Sequence, residues 1–264
     1  MVGEFFIRFN LHNSVCNYPA SFEVLKPLVD LDDEQLRAYL DKIDKTHAQR
    51  AERIEKELAD KLNALVGKKV LFIGDSITSD NLGYRRTVTK VAKLNALDGA
   101  VSGGTSSTVL HSAKMQLQSF KPDMVSVMIG TNDSVSVDRE NLHQVSMEEY
   151  ERNVRAIAEW SLKSGAKVLL FEIPPIHEQR FAASFASQYK LQSNDTIKRY
   201  NRVLKNIANE YKIPLTSNSW IEDQSVDLMF EPDGIHFSIE CHEIFSKKWL
   251  LSASKIINEK EQLR

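Results

Sequence analysis

The chain has 264 residues, of which 42% are hydrophobic and 27% charged, and its formal net charge is −2. This length suits one sizeable α/β domain with an appendage, or two small domains. The pI near 6.4 indicates no excess of basic residues, which argues against nucleic acid as the main partner.

The sequence has no feature of a membrane or secreted protein. No apolar run approaches the length of a membrane-spanning helix, and the N-terminus lacks a basic region followed by a clean apolar core. Two cysteines, Cys16 and Cys241, are too few for a disulfide framework. We therefore expect a cytoplasmic protein with reduced thiols.

Residues 1–67 are predicted to form a mainly helical extension. Its first part is too apolar for a solvated tail and is expected to pack on something, through Phe5, Phe6, Ile7, Phe9 and Leu11. Asp32 or Asp33 then caps a predicted helix that ends at Gly67. Its apolar residues recur near the 3.6-residue period of a straight helix. We expect one long helix, or two with a break near Thr46, that lies along the main domain or pairs with another subunit in a homo-oligomer.

The next segment carries the first chemical signal. Residues 70–73 (Val-Leu-Phe-Ile) are typical of a strand buried on both faces, and the run stops at Gly74. Ser76 lies just past the carboxyl end of this strand, where open α/β sheets place their ligands. Such a serine can be a nucleophile if a base reaches it. Taken alone, Gly-Asp-Ser equally indicates a turn with a helix cap.

Strands and helices alternate through the rest of the chain. Strands are predicted near 94–97, 124–129, 167–173 and 213–216, and helices near 84–92, 106–120, 146–164, 195–211 and 238–257. Residues 146–149 (Ser-Met-Glu-Glu) read as a capping box. A loop of about 20 residues follows Pro175, and loops of this length are usually functional. In it, Phe181 and Phe185 lie one helical turn apart, which favours a small core over a lid. The alternation predicts one parallel sheet covered on both faces.

Polar residues follow three of these strands, and a fourth cluster precedes the last helix. The carboxyl ends of parallel strands share one edge of the sheet, so Ser76, Gly103 and Asn132 can converge. Acyl transfer needs a hydroxyl, an imidazole and a carboxylate, with donors aimed at the oxyanion. Asp233 lies three residues before His236, a spacing that can place a carboxylate beside an imidazole.

Four short blocks resemble the motifs of the SGNH hydrolases, or GDSL-type esterases and lipases. The blocks are residues 74–77 (Gly-Asp-Ser-Ile), 102–105 (Ser-Gly-Gly-Thr), 130–133 (Gly-Thr-Asn-Asp) and 233–236 (Asp-Gly-Ile-His). They occur in family order and cover about residues 69–256. The resemblance implies a hydrolase domain over 68–264, with a three-layer α/β/α sandwich around a five-stranded parallel, flavodoxin-like sheet.

The same resemblance implies roles for individual residues. Ser76 would be the nucleophile, His236 the general base and then acid, and Asp233 the orienting carboxylate. The oxyanion hole would be formed by Ser76, Gly103 and Asn132. No cofactor is implied. We also expect substrate contacts from residues near these blocks, namely Asp75, Tyr84, Arg85, Gly104 and Phe181. No metal is expected, because ligand spacing is absent around the remaining histidines, His12, His47, His111, His143, His177 and His242.

The leading hypothesis is a serine esterase that acts on short acyl esters, such as acetyl esters of a sugar or another small hydroxylated compound. One alternative is a lysophospholipase or acyl-thioesterase. A second alternative is a non-catalytic binding or assembly protein that keeps the fold and uses its N-terminal helices as an interface.

Overall fold

The computed structural model describes residues 2–9, 21–137 and 142–258. The predictions for Leu11, His12 and Cys16 lie outside these residues. The described strands are β1 (Lys69–Gly74), β2 (Asn95–Asp98), β3 (Met124–Met128), β4 (Ser136–Val137), β5 (Lys167–Phe171), β6 (Lys190–Leu191) and β7 (Leu215–Thr216). The described helices are α1 (Val2–Arg8), α2 (Phe22–Leu25), α3 (Asp33–Leu58), α4 (Ser76–Ser79), α5 (Tyr84–Val91), α6 (Ser106–Phe120), α7 (Met147–Lys163), α8 (Glu178–Phe185), α9 (Asn194–Tyr211), α10 (Val226–Met229) and α11 (Ile239–Asn258).

Five parallel strands form the main sheet in the order β2-β1-β3-β5-β7. Counted along the chain, this is the 2-1-3-4-5 order of a flavodoxin-like sheet. In the register of the central strands, Leu71 of β1 lies between Leu97 of β2 and Val125 of β3. The strands β4 and β6 form a separate antiparallel pair. The predicted fold class is confirmed.

Both faces of the sheet are buried, which explains the continuous apolar run of β1. Leu71 and Ile73 face one core, which is completed by residues of α6, α7 and α9. Phe72 faces the other, where its ring stacks on Trp249 of α11 at 5.3 Å. Burying a side chain of this size contributes about 1.5–3 kcal/mol, so both helical layers are strongly held to the sheet.

The N-terminal helix α3 is continuous through Thr46. Asp32 caps it with a complete capping box, since it accepts a hydrogen bond from the N–H of Gln35 at 2.8 Å and its own N–H is bound by the Gln35 side chain. The helix ends at Leu58 rather than Gly67, and two short 3₁₀ turns follow. Its apolar face shares a core with α5 and α11. The domain boundary at residue 67 and any pairing with another subunit stay predictions.

Two local predictions need correction. The Ser146 hydroxyl accepts from the N–H of Glu149, but the Glu149 carboxylate is bound by Ser107 of α6, so only half of the predicted capping box forms. The segment after Pro175 is not an irregular loop, because it contains α8 and β6. Phe181 and Phe185 lie on α8 with ring centroids 4.7 Å apart.

Candidate active site

Ser76 is placed at the edge of the sheet by a tight turn after β1. The turn requires glycine at position 74, because a Cβ there would lie 2.2 Å from the Thr78 hydroxyl oxygen and 2.7 Å from the Met128 carbonyl oxygen. Asp75 follows as the N-cap of α4 and accepts a hydrogen bond from the N–H of Ile77 at 3.0 Å. The cap fixes the start of the short helix that carries Ser76.

Ser76, His236 and Asp233 form one chain of hydrogen bonds. The distance from Ser76 Oγ to His236 Nε2 is 2.8 Å, and that from His236 Nδ1 to Asp233 Oδ2 is 2.6 Å. The second carboxylate oxygen of Asp233 accepts from the N–H groups of Ile235 and His236, both at 3.0 Å. The turn before α11 therefore holds the carboxylate and the imidazole in a fixed mutual orientation.

The charge of Asp233 suits an orienting role. Burial raises the pKa of this carboxyl, but the hydrogen bond and the charge of His236 outweigh burial, and the pKa is about 2. At neutral pH the carboxylate is therefore ionised and accepts the Nδ1 proton of His236. The lone pair of Nε2 then faces the hydroxyl of Ser76, which is the tautomer that a general base requires.

Gly103 and Asn132 lie beside Ser76 as potential donors to an oxyanion. Gly103 has a φ of +70°, a conformation that favours glycine, and no described residue accepts a hydrogen bond from its N–H. One hydrogen of the Asn132 amide is donated to the Gly104 carbonyl oxygen at 2.9 Å. The other hydrogen of the amide remains for a ligand.

These groups face a cavity of about 150 Å³. Its polar lining includes Ser76, Ser102, Gly103, Asn132, Lys190 and His236, and its apolar lining is Phe5, Phe9, Val135, Phe181, Phe185 and Ile235. The structure thus brings together the predicted nucleophile, general base and oxyanion donors. Phe181 and Phe185 pack against each other and form a wall of this cavity.

Four predicted substrate contacts lie elsewhere. Tyr84 is fully buried beneath the site, with its hydroxyl bound to Thr78, and Arg85 forms an ion pair with Asp98 at 2.8 Å. Neither side chain lines the cavity. Asp75 is also buried as a helix cap, and Gly104 contributes the carbonyl that binds Asn132. Neither of them lines the cavity.

A buried carboxylate that the sequence analysis does not single out joins the third motif block to the helix that follows the second block. Both oxygens of Asp133 accept from the N–H of Ser106, each at 3.0 Å, at the first turn of α6. Burial raises the pKa of Asp133 to about 6. This contact fixes the segment with Gly103 relative to the segment with Asn132. The position of Asp133 beside Asn132 in the third block is the sequence feature that could have identified it.

A second Asp–His pair lies under the site. Asp80 and His242 are fully buried, and Asp80 accepts from His242 Nε2 at 3.1 Å and from Arg8 at 3.2 Å. Burial raises the pKa of Asp80, but these partners outweigh it and the pKa is about 2. The Nδ1 of His242 accepts from the N–H of Tyr84 at 3.1 Å, so this histidine is neutral in the fold.

The buried histidines predict a loss of stability in acid. Burial lowers the pKa of His242 to about 4 and that of His47 to about 3, against 6.5 for an ordinary histidine. Between pH 6.5 and about 4 each of these two histidines is therefore protonated in the unfolded chain but neutral in the folded chain. As the pH decreases through this window, each histidine should lower the free energy of unfolding by about 1.4 kcal/mol per pH unit.

Urea unfolding between pH 7 and 4.5 measures this slope. The substitution His47→Gln should reduce it by about 1.4 kcal/mol per pH unit, whereas His111→Gln, at an exposed position, serves as the matched control. An identical slope in the native protein and the His47 variant would contradict the assignment.

Residues 2–9, 21–137 and 142–258 contain no group of three or more His, Cys, Asp or Glu side chains placed to hold a metal ion. No helix there has both the length and the apolar character needed to cross a membrane. The absence of a metal or cofactor stays a prediction.

The sequence of the chain is similar to those of known proteins. Residues 72–244 match the family model of the GDSL-like Lipase/Acylhydrolase family. A multidomain esterase from Ruminococcus flavefaciens is 28% identical over 137 residues, which are 51% of this chain and 16% of that protein. The chain therefore corresponds to a small part of this relative.

Solved structures show the same fold at low identity. A GDSL-like lipase from Bacteroides thetaiotaomicron superposes with a TM-score of 0.56 at 22% identity, covering 78% of this chain and 97% of the other. A catalytic mutant of an acetylxylan esterase from Geobacillus stearothermophilus gives a TM-score of 0.55 at 22% identity, with coverages of 71% and 94%. The family match spans more than half of the chain and includes all four motif blocks. The chain belongs to the GDSL-like lipase/acylhydrolase family.

Proposed function

We propose that the protein is a serine hydrolase of carboxylic esters that forms an acyl-enzyme on Ser76. The observation that carries the proposal is the hydrogen-bond chain from Ser76 through His236 to Asp233, with distances of 2.8 and 2.6 Å. Ser76 and His236 line a cavity that Gly103 and Asn132 also line. A hydroxyl, a base, an orienting carboxylate and oxyanion donors are together what acyl transfer requires.

The first half of the proposed reaction forms the acyl-enzyme. Ser76 Oγ attacks the ester carbonyl carbon while His236 Nε2 takes the hydroxyl proton. The oxyanion accepts hydrogen bonds from the N–H groups of Ser76 and Gly103 and from the Asn132 amide. The intermediate collapses with cleavage of the bond to the alcohol oxygen. His236 gives its proton to this leaving oxygen.

The second half releases the acid. A water molecule gives a proton to His236 and attacks the acyl carbonyl carbon. The bond to Ser76 Oγ then breaks, His236 returns the proton to Ser76, and the carboxylic acid leaves. Asp233 stays ionised throughout and stabilises the imidazolium in each half.

The size of the cavity supports a short acyl group. Its volume of about 150 Å³ is close to that of an engineered cavity that takes benzene, and below the roughly 300–1,000 Å³ of pockets for drug-sized ligands. An acyl group of a few carbons fits this space, whereas a long chain would extend beyond it. The cavity thus favours short esters over the lysophospholipase or thioesterase alternative.

A neighbouring groove supports a hydroxylated alcohol half, such as a sugar. This groove of about 500 Å³ shares Phe181 and Lys190 with the cavity. The rest of its lining is mostly polar and includes Ser136, Gln192, Ser193, Asp195, Thr196 and Arg199. Hydroxyl groups of a leaving alcohol would find both donors and acceptors there.

Covalent labelling tests the proposal directly. A fluorophosphonate probe reacts with a serine that is activated by a base, so digestion and mass spectrometry should find the adduct on Ser76. The native protein should also hydrolyse p-nitrophenyl acetate. An adduct on Ser102, which lines the same cavity, would contradict the assignment of the nucleophile. Absence of both labelling and turnover would favour the non-catalytic alternative.

A further inference from the structure

The helix α1 reaches the proposed active site although it lies outside residues 72–244, which match the family model. The ring of Phe9, just after α1, lies over the His236 imidazole with centroids 4.1 Å apart and planes inclined by 41°. The ring of Phe5 contacts Phe9 at 4.7 Å. Both phenylalanines line the cavity that contains Ser76.

The carboxyl end of α1 is bound to the segment that follows the proposed nucleophile. The N–H of Asn81 donates to the Arg8 carbonyl oxygen at 2.7 Å, and the Asn81 amide donates to the Ile7 carbonyl oxygen at 2.8 Å. These carbonyls have no partner within the helix, since the last turn of any helix leaves its carbonyls free. Because α4 and Asn81 are adjacent in sequence, the hydrogen bonds fix α1 relative to Ser76.

Arg8 joins this helix to both halves of the site. Its guanidinium forms ion pairs with Asp80 at 3.2 Å and with Glu231 at 2.8 Å, and it donates to the Phe237 carbonyl oxygen at 3.3 Å. Asp80 follows the helix of the nucleophile, while Glu231 and Phe237 flank the turn with Asp233 and His236. The Arg8 side chain is only 14% exposed, so solvent weakens these ion pairs little.

We infer that α1 and Phe9 supply the acyl-binding wall of the site and thereby set the upper limit on acyl length. The inference rests on the proposed function and identifies residues that determine its specificity. Phe5 and Phe9 occupy space into which a longer acyl chain would extend, and Arg8 is a positioning residue that holds them there. The specificity of the enzyme therefore depends on a segment that the family match does not include.

Steady-state kinetics with p-nitrophenyl acetate, butyrate and hexanoate test this inference. Truncating an aromatic wall gives room for several methylene groups, and each is worth about 10-fold or more in an apolar pocket. The ratio of kcat/KM for hexanoate to that for acetate should therefore rise at least 10-fold in Phe5→Ala and in Phe9→Ala. Phe5 is 50% exposed, so its variant is expected to fold even if Phe9→Ala does not.

Matched controls separate the wall from general damage to the N-terminal region. Phe22→Ala removes the same ring from α2, where Phe22 lies against the Arg37 guanidinium and the N-terminal core but does not line the cavity, and should leave the ratio unchanged. Arg8→Gln should also raise the ratio of kcat/KM for hexanoate to that for acetate, as Phe9→Ala does. Arg53→Gln, which breaks an exposed ion pair with Glu243, should leave it unchanged.

The outcomes distinguish failure of this inference from failure of the proposed function. An unchanged ratio in folded Phe5→Ala and Phe9→Ala overturns the inference while turnover by the native protein persists. The variants could instead change only the preference between ethyl and hexyl acetates, which differ in the alcohol half. This result also overturns the inference, because the wall would then face the leaving group. Undiminished turnover in Ser76→Ala overturns the proposed function itself.

Discussion

Replacing Ser76 by alanine is expected to lower kcat by about 10⁶-fold, the loss seen when a serine hydrolase loses its nucleophile. The Ser76 hydroxyl is the atom that attacks the ester in the proposed mechanism, and its hydrogen bond to His236 is the only one described for this side chain. The oxyanion donors would still bind the carbonyl, so a residual rate above that in water remains. Initial rates with p-nitrophenyl acetate, at matched concentrations of folded protein, measure the loss.

The variant must keep its fold for this result to bear on the chemistry. Circular dichroism and the midpoint of urea unfolding should match those of the native protein, because the substitution removes one oxygen at the edge of a cavity. Ser112→Ala is the matched control, since Ser112 lies on α6 outside the cavity lining. A fall of less than 10-fold in a folded Ser76→Ala protein would discard Ser76 as the nucleophile.

The second large effect is expected for Asp233→Asn, with a fall in kcat of about 10³–10⁴-fold. The amide oxygen can still accept from the N–H groups of Ile235 and His236, so the turn is kept. The amide NH₂ would then face His236 Nδ1 and favour the tautomer with its proton on Nε2. That tautomer cannot take the proton of Ser76, and the imidazolium also loses its counter-ion.

The matched control for this substitution is Asp227→Asn. Asp227 is an exposed carboxylate close in sequence, paired with Arg180, and its loss changes the net charge by the same amount. The Asp227→Asn variant should keep the activity of the native protein. Equal rates in Asp233→Asn and the native protein would show that the carboxylate at 2.6 Å from His236 has no part in catalysis.

The main sheet and the convergence of the polar clusters could be predicted from the sequence because both depend on local pattern and simple topology. The run at 70–73 is typical of a strand buried on both faces, and the four blocks follow strand ends or precede a helix. Parallel strands place such blocks at one edge, so the approach of Ser76 to His236 follows from the order of the elements.

Apart from Phe181, the apolar walls of the cavity could not be predicted in this way. Tyr84 and Arg85 follow Ser76 closely in sequence, but Tyr84 packs in the core and Arg85 pairs with Asp98, and no periodicity indicates which face a helix presents to a site. Phe5 and Phe9 appear in the sequence only as apolar residues in need of a partner. The partner of Phe9, His236, lies more than 220 residues later, and such long-range contacts leave no local signal.

The position of Arg8 also has a consequence for synthesis on the ribosome. Its partner Phe237 lies 229 residues later in the chain. At the usual rate of about 5–20 residues per second, α1 waits roughly 10–50 s before its docking surface has been made. The helix α1 is thus made well before it can be fixed in place. A nascent chain would gain its complete acyl pocket only after Phe237 has been made.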